Sequence, residues 1–405
     1  MSEKAATLLG VGDLMLCMPD ADSYFKMVTP VLKAADVVVG QGEIVFTSRG
    51  VKSYSEAMFP PSDPENMKAL ANAGFNVITL ATNHIWDSGV PGVEDTLNGF
   101  KDLGIAVTGG GMTLEEARTP AIIVRKGARF GFLSYNCVGP KESWATAEKP
   151  GCSYVRVLTH YEQQTVQPGI KPAIYTFAEP SSLRAMQDDI RKLRSQVDVV
   201  VVCLHKGLVH TPVTLLDYDR EIPYAAIDAG ADLILGTHPH ILKGVEIYKG
   251  KAIFHCLCNF VTPNEILTSY GADSAVAKEW AIKRKELFGF DLDPEYPTYP
   301  FHSEAKYSIV AKCTVVDGKI SRVSYLPLLI NKQAQPEILK NDARGQEVFA
   351  YMEKITRAAD LNAQFEWDGD EVVIHGEGLT KPISQREAGQ PRADKTVAPK
   401  AAARG

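Results

Sequence analysis

The chain has 405 residues, a formal charge of −6 and 45% hydrophobic side chains, ample for a core but without the basic excess that nucleic-acid binding needs. Its seven cysteines are odd in number and scattered as single residues, which reads as reduced thiols rather than a disulfide framework. No apolar run approaches the roughly 20 residues that cross a membrane, and Met1-Ser2-Glu3-Lys4 carries no secretion signal, so a cytoplasmic location is expected.

In chain order, an apolar run at 7–11 ends in Gly12-Asp13, and a second at 36–40 ends in Gln41-Gly42-Glu43. Helical periodicity follows at 64–73. A third run, 76–81, leads into Thr82-Asn83-His84-Ile85-Trp86-Asp87, and 93–103 is again helical. Residues 104–111 read as a strand and a glycine-rich turn, not a phosphate loop, because no strand–loop–helix glycine spacing with lysine follows. A hairpin is predicted around Lys126-Gly127, and a helix over 181–196 with Ser181 or Ser182 as its cap. The run 198–204 ends in His205-Lys206-Gly207, 218–229 is helical, and 231–235 ends in Gly236-Thr237-His238-Pro239-His240. Cys203 and Cys256 fall in apolar runs and read as core, and Cys256-Leu257-Cys258 as packing. Further on, 307–315 and 320–327 form a hairpin at Asp317-Gly318, 341–358 is an amphipathic helix, and a strand pair flanks Asp368-Gly369-Asp370.

The five apolar runs are continuous rather than alternating, which predicts strands buried on both faces. In open α/β sheets, ligands sit outside the carboxyl ends of such strands. Asp13, Glu43, Asn83, His84, His205, His238 and His240 all fall at those ends. Two histidines at a spacing of two on a strand end point the same way. Carboxylate, amide oxygen and imidazole without cysteine argue against a closed structural zinc site. They suit Mn, Fe or Zn, and Mg less well. One or two divalent ions are expected, since a carboxylate such as Glu43 can bridge a pair about 3.5–4 Å apart.

The order Gly-Asp, Glu, Asn-His-x-x-Asp, His-x-Gly, His-Pro-His resembles the bacterial capsule-synthesis CapA (poly-γ-glutamate synthesis) family, itself similar to the calcineurin-like metallophosphoesterases. Residues 70–77, 229–232 and 244–251 and the segment Cys258-Asn259-Phe260-Val261 extend the resemblance, which covers roughly 7–330. It implies an α/β fold of the calcineurin-like metallophosphoesterase kind, with central β-sheets flanked by helices and a metal site at the strand carboxyl ends. It also implies roles. Asp13 and His240 would bind one metal, Glu43 would bridge, and Asn83, His205 and His238 would bind the second. His84 would be the acid or electrostatic partner of the leaving group, with Asp87 orienting it. A histidine beside a cationic centre and a carboxylate is a suitable proton shuttle near neutral pH.

Three positions depart from that pattern. Met15 stands where the phosphoesterases carry the histidine of Asp-x-His, which weakens the first metal site. Lys206 replaces a frequent tryptophan and could bind an anionic group of the substrate or act as a base, although a solvated lysine is the plainer reading. Cys258 replaces a glycine. Capsule-polymer members of the family are typically membrane-anchored, in contrast to the cytoplasmic reading of this chain.

A single domain is expected over 1–376, with insertions at about 138–180 and 262–302 and a disordered polar tail at 377–405. The insertions carry many aromatic residues, Trp144, Tyr154, Tyr161, Tyr175 and Phe177 in the first and Trp280, Phe288, Phe290, Tyr299 and Phe301 in the second. They read equally as a substrate pocket or as packing. His302 and Lys306 are further candidates for contact with a substrate. The expected function is metal-dependent hydrolysis of a small organic anion, amide or ester rather than general phosphoesterase activity. Two alternatives stay open: a lyase or epimerase in which His84 or Lys206 moves a proton, and a capsule-biosynthesis protein. The expected partner is a small-molecule substrate, with neither nucleic acid nor membrane.

Overall fold

Strands rich in Val, Ile and Leu can be buried on both sides only if each sheet is covered twice, and this protein does so by stacking two sheets. The computed structural model describes residues 5–49, 61–165, 169–264 and 274–379. In the first sheet, Ala5–Leu14, Val37–Gly42, Val77–Thr79 and Ala106–Thr108 run parallel. Tyr307–Val316 pairs antiparallel with the first of these and begins the extension through Lys319–Ile330, Glu371–His375 and Gln364–Asp368. In the second sheet, Ala128–Asn136, Val199–His205, Leu233–Thr237 and Lys251–Cys256 are parallel, with antiparallel strands Ala121–Arg125 and Lys243–Tyr248 at the edges.

The two sheets share one core. Leu9 and Val11 of the first pack in the same cluster as Phe132, Val199, Val201, Leu233 and Leu235 of the second. Behind the second sheet, Val200, Val202, Leu204 and Ile234 pack on the helices Pro180–Arg194 and Asp217–Ala229 through Ile190, Tyr218 and Ile222. Side chains of a strand alternate between faces. On Val199–His205, the odd-numbered residues therefore face the other sheet and the even-numbered ones face the helices. This parity decides where His205 and Lys206 go. The result is a mixed α/β fold with two central sheets flanked by helices, and strand carboxyl ends from both sheets meeting at one rim.

The Pro180–Arg194 helix starts one residue earlier than predicted, and its cap is neither serine. Pro180 occupies the first turn, where a missing N–H costs nothing, and the Glu179 carboxylate accepts hydrogen bonds from the Ser181 and Ser182 amides. The first insertion contains a ribbon, Val157–Glu162 with Ala173–Ala178, that leaves Tyr161, Tyr175 and Phe177 exposed. Trp144 and Tyr154 stack on each other at 4.5 Å. The second insertion contains the helix Ala275–Phe288. Of the expected tail, 380–405 lies outside the described residues, as do Met1 to Lys4 and part of the second insertion, 265–273. Among the described residues no helix is long and apolar enough to cross a membrane.

Candidate metal centre

Asp13 reaches the rim because Gly12 lets the first strand pass against the loop at Cys258, where a Cβ on Gly12 would lie 1.8 Å from the Cys258 carbonyl oxygen. Asp13 N–H donates to that same oxygen at 3.1 Å. Glu43 follows the second strand and is fully buried. Asn83 and His84 follow the third. From the opposite sheet, strand parity brings His205 into the rim, and the turn after Leu233–Thr237 adds His238 and His240. Both of these histidines are held at positive φ, 94° and 52°. Strained backbone at two neighbouring polar residues is a cost that marks function more often than folding.

The polar atoms converge tightly. One ligand atom each from Glu43, His205 and His238 lie within 4.8 Å of one another. His205 Nε2 stands 2.8 Å from Asn83 Oδ1, 3.1 Å from His238 Nδ1 and 3.5 Å from Glu43 Oε1. His205 Nδ1 meets the Thr237 hydroxyl at 3.1 Å, and a donation there leaves the Nε2 lone pair turned toward the cluster. On the other flank, His240 Nδ1 lies 2.7 Å from Asn259 Oδ1 and 3.4 Å from Asp13 Oδ2, while its Nε2 is 4.0 Å from Glu43 Oε1. His84 Nδ1 is 2.6 Å from Asp87 Oδ2, and its Nε2 is 3.9 Å from Glu43 Oε1. The structure thus gathers Asp13, Glu43, Asn83, His84, His205, His238 and His240 at one rim, with Asp87 just behind.

This group has too many acceptors and too few protons. Asp13 Oδ1 and both Glu43 carboxylate oxygens are buried without a hydrogen-bond partner. Burial raises the Asp13 carboxyl to about 7, against the His238 amide that lowers it. Burial, then the neighbouring Asp13 charge, holds Glu43 well above the usual carboxylate range. Burial pushes His205 and His238 well below the ordinary imidazole value and His240 down to about 4, so all three are neutral at pH 7. Neutral imidazole is the ligating form, and a cation removes the penalty on the carboxylates. The donor set fits a divalent ion, and among the described residues it contains no thiol.

Lys206 does not join this group. Strand alternation turns it to the helix side of the sheet, where it is buried with its ammonium 3.1 Å from Asp219 Oδ1 and 3.2 Å from His255 Nδ1. The expectation that it meets a substrate or acts as a base is therefore corrected: it faces away from the rim and is already paired. His302 caps the short turn Ser303–Lys306, accepting the Glu304 amide on Nδ1, and its ring meets Phe290 at 5.1 Å. Lys306 stands over the Tyr307 ring. Met15 is fully buried. Cys258 takes φ 66°, the conformation that a glycine adopts freely at that position.

Three residues at the rim were not anticipated as part of it, and a fourth, Phe301, was expected only as one ring of an aromatic insertion. Asn259 orients His240, and Phe301 lies against the His240 ring at 5.2 Å. His210, at φ 53°, donates its amide to the Pro239 carbonyl and places its ring 5.9 Å from that of His240. Arg284 comes from the second insertion and meets His210. Asn259 carries a sequence signal in Cys258-Asn259-Phe260-Val261, whereas the other three sit in no motif. The aromatic rings near the rim belong to the second insertion. Those of the first insertion form the exposed ribbon or stack on one another.

The sequence matches the family described as bacterial capsule synthesis protein PGA_cap over residues 7–264. It is similar to the PGA biosynthesis protein CapA of Bacillus subtilis, 30% identical over 294 residues that make up 70% of each chain. It is also similar to the capsule biosynthesis protein CapA of Bacillus anthracis, 28% identical over 63% of this chain and 59% of that protein. Among solved structures, a calcineurin-like phosphoesterase of Bacillus subtilis aligns over 88% of this chain and 98% of its own, at 12% identity and a TM-score of 0.35. A likeness that weak decides nothing about chemistry.

Proposed function

The chain belongs to the bacterial capsule synthesis protein PGA_cap family, and from that premise and its strand-end donor set we propose a metal-dependent hydrolase acting on a small organic anion, amide or ester. The observation that carries this reading is the buried group of Glu43, His205 and His238, with both Glu43 oxygens lacking a hydrogen-bond partner. In it, Asn83, Glu43, His205 and His238 would hold one ion, and Asp13 with His240 a second beside Glu43. The bound ion would supply Lewis-acid polarisation of the scissile group and acidify an attacking water.

The chain's own residues then have defined tasks. His84 turns Nε2 toward the cluster while Asp87 holds its Nδ1, an arrangement that can deliver a proton to a leaving group. Asn259 fixes the His240 ring. Phe301 lies tilted against that ring at 5.2 Å. Met15 offers no imidazole beside Asp13, which disfavours a general two-metal phosphoesterase. The proton-transfer alternative loses Lys206, because that lysine points away from the rim. The similar proteins are named for PGA and capsule biosynthesis, and we propose that this chain serves the same kind of biosynthesis.

Elemental analysis tests this reading directly. The purified protein should carry one or two transition-metal ions, and chelation should abolish hydrolysis of amide and ester substrates. His238→Ala should empty the site, whereas His160→Ala, on the exposed ribbon, should not. Metal-free protein with undiminished activity in chelator overturns it.

A further inference from the structure

Arg284 lies on the Ala275–Phe288 helix of the second insertion, and its surroundings are unusual for an arginine. The guanidinium stands over three rings, 4.8 Å from the centroid of Trp280, 5.2 Å from Phe288 and 5.7 Å from Phe290. Its Nη2 donates to His210 Nε2 at 2.5 Å. Its Nε is buried and has no partner, and among the described residues no carboxylate pairs with it. Other partly buried arginines of this protein are treated differently. Arg118 pairs with Asp189, Arg194 with Asp232, and Arg322 with Glu371. Burial draws the Arg284 guanidinium down to about 10, and among the described residues nothing acidic offsets it.

His210 repeats the pattern. With Nε2 accepting from Arg284, its proton sits on Nδ1, and that atom too is buried without a partner. The ring is 4% exposed. Side by side, then, are two groups with N–H donors to spare and no acceptor. A buried charge normally has a partner, and among the described residues neither of these groups has an acidic one. The place is informative as well. The His210 amide is tied to the Pro239 carbonyl at 2.8 Å, and its ring lies 5.9 Å from His240, with Phe301 against both.

We propose that Arg284, seconded by His210, binds an anionic group of the substrate, a carboxylate or a phosphate, on the His240 side of the strand-end cluster. This deepens the hydrolase reading and rests on it for the identity of the reacting centre. Guanidinium geometry matches both anions through paired N–H donors. The buried Trp280 ring under the guanidinium lowers the polarity on that side, which strengthens an ion pair there. The substrate is then a molecule whose scissile bond lies at the metal ligands while its negative charge is held by the second insertion.

Calorimetric titration of the full chain with succinate and, separately, with inorganic phosphate tests this. Wild type should bind at least one of the two saturably, and the preferred probe tells carboxylate from phosphate. Arg284→Gln should weaken that binding by at least tenfold while its metal content and melting temperature stay at the wild-type values. Arg284→Met, which keeps the stem against the rings, serves if the glutamine variant does not fold. Wild type that binds neither probe, or a folded variant that binds as tightly as wild type, overturns the proposal. The two readings fail separately. Arg284-dependent anion binding in a protein that carries no metal and hydrolyses nothing removes the hydrolase and leaves the anion site. Full metal content with anion binding indifferent to Arg284 does the reverse.

Discussion

Between the sheets, Asp13, Glu43 and three histidines crowd together. Behind the second sheet, Lys206 sits with Asp219, His255 and Glu246. Both clusters are buried and ionisable, and they are separated by little more than the strand that carries His205 and Lys206. In the rear cluster every charge has an answer: Lys206 meets Asp219 at 3.1 Å, His255 bridges Lys206 and Glu246 at 3.2 and 2.9 Å, and Glu246 also takes the Tyr224 hydroxyl. In the front cluster the carboxylate oxygens face one another and lone pairs of imidazole, and Asp13 Oδ1 and both Glu43 oxygens have no hydrogen-bond partner. Burial of charge is thus no sign of function by itself. The sign is a buried charge that the chain leaves unanswered, and Arg284 is the same lesson with the sign reversed.

The largest effect that sharpens this contrast concerns His84, which borders the front cluster without being needed to fill it. His84→Asn should keep the metal while turnover falls about 10²–10⁴-fold, the scale of a general acid or base. Metal loss as complete as in His238→Ala would make His84 a ligand instead.

Stability separates the clusters next. Asp219→Asn retains an acceptor for the Leu216 amide that caps the helix but strands the buried Lys206 ammonium, so urea unfolding should register a loss of about 3–5 kcal/mol. Glu43→Gln in chelated protein removes a charge that burial already disfavours, and should cost about 1 kcal/mol or less. Equal losses from the two substitutions would erase the distinction between a paired and an unpaired cluster.

The smallest effect is a pH slope. Burial first and the Lys206 charge second lower His255 from 6.5 to about 4, against Glu246, which raises it. Between those values the unfolded chain binds a proton that the folded chain does not. His255 therefore contributes stability that is complete above pH 6.5 and is lost as pH falls toward about 4. Each such group adds a slope of about 1.4 kcal/mol per pH unit in that window. Unfolding curves at pH 7, 6 and 5 should show a shallower slope for His255→Gln than for wild type, and an identical slope would place His255 outside the network.

Much of this was legible in the chain. The runs at 7–11, 36–40, 76–81, 198–204 and 231–235 are local patterns, and a strand with continuous apolar residues is buried on both faces wherever it lies. The side chains that follow each run must then gather at the carboxyl ends. Strand parity, also local, opposes Lys206 to His205, so its turning away from the rim was readable from the period of two.

What only the tertiary structure decided is which of those ends meet, and what comes to them from elsewhere. His205 touches Asn83 across 122 positions of sequence, and His210, Arg284 and Phe301 reach the rim without any motif to mark them. Two aromatic insertions look alike in composition, yet one forms an exposed ribbon and the other brings a cation to the site. Composition records how much apolar surface a segment must bury. The direction in which it folds back depends on long-range packing between sheets, to which no local pattern is sensitive.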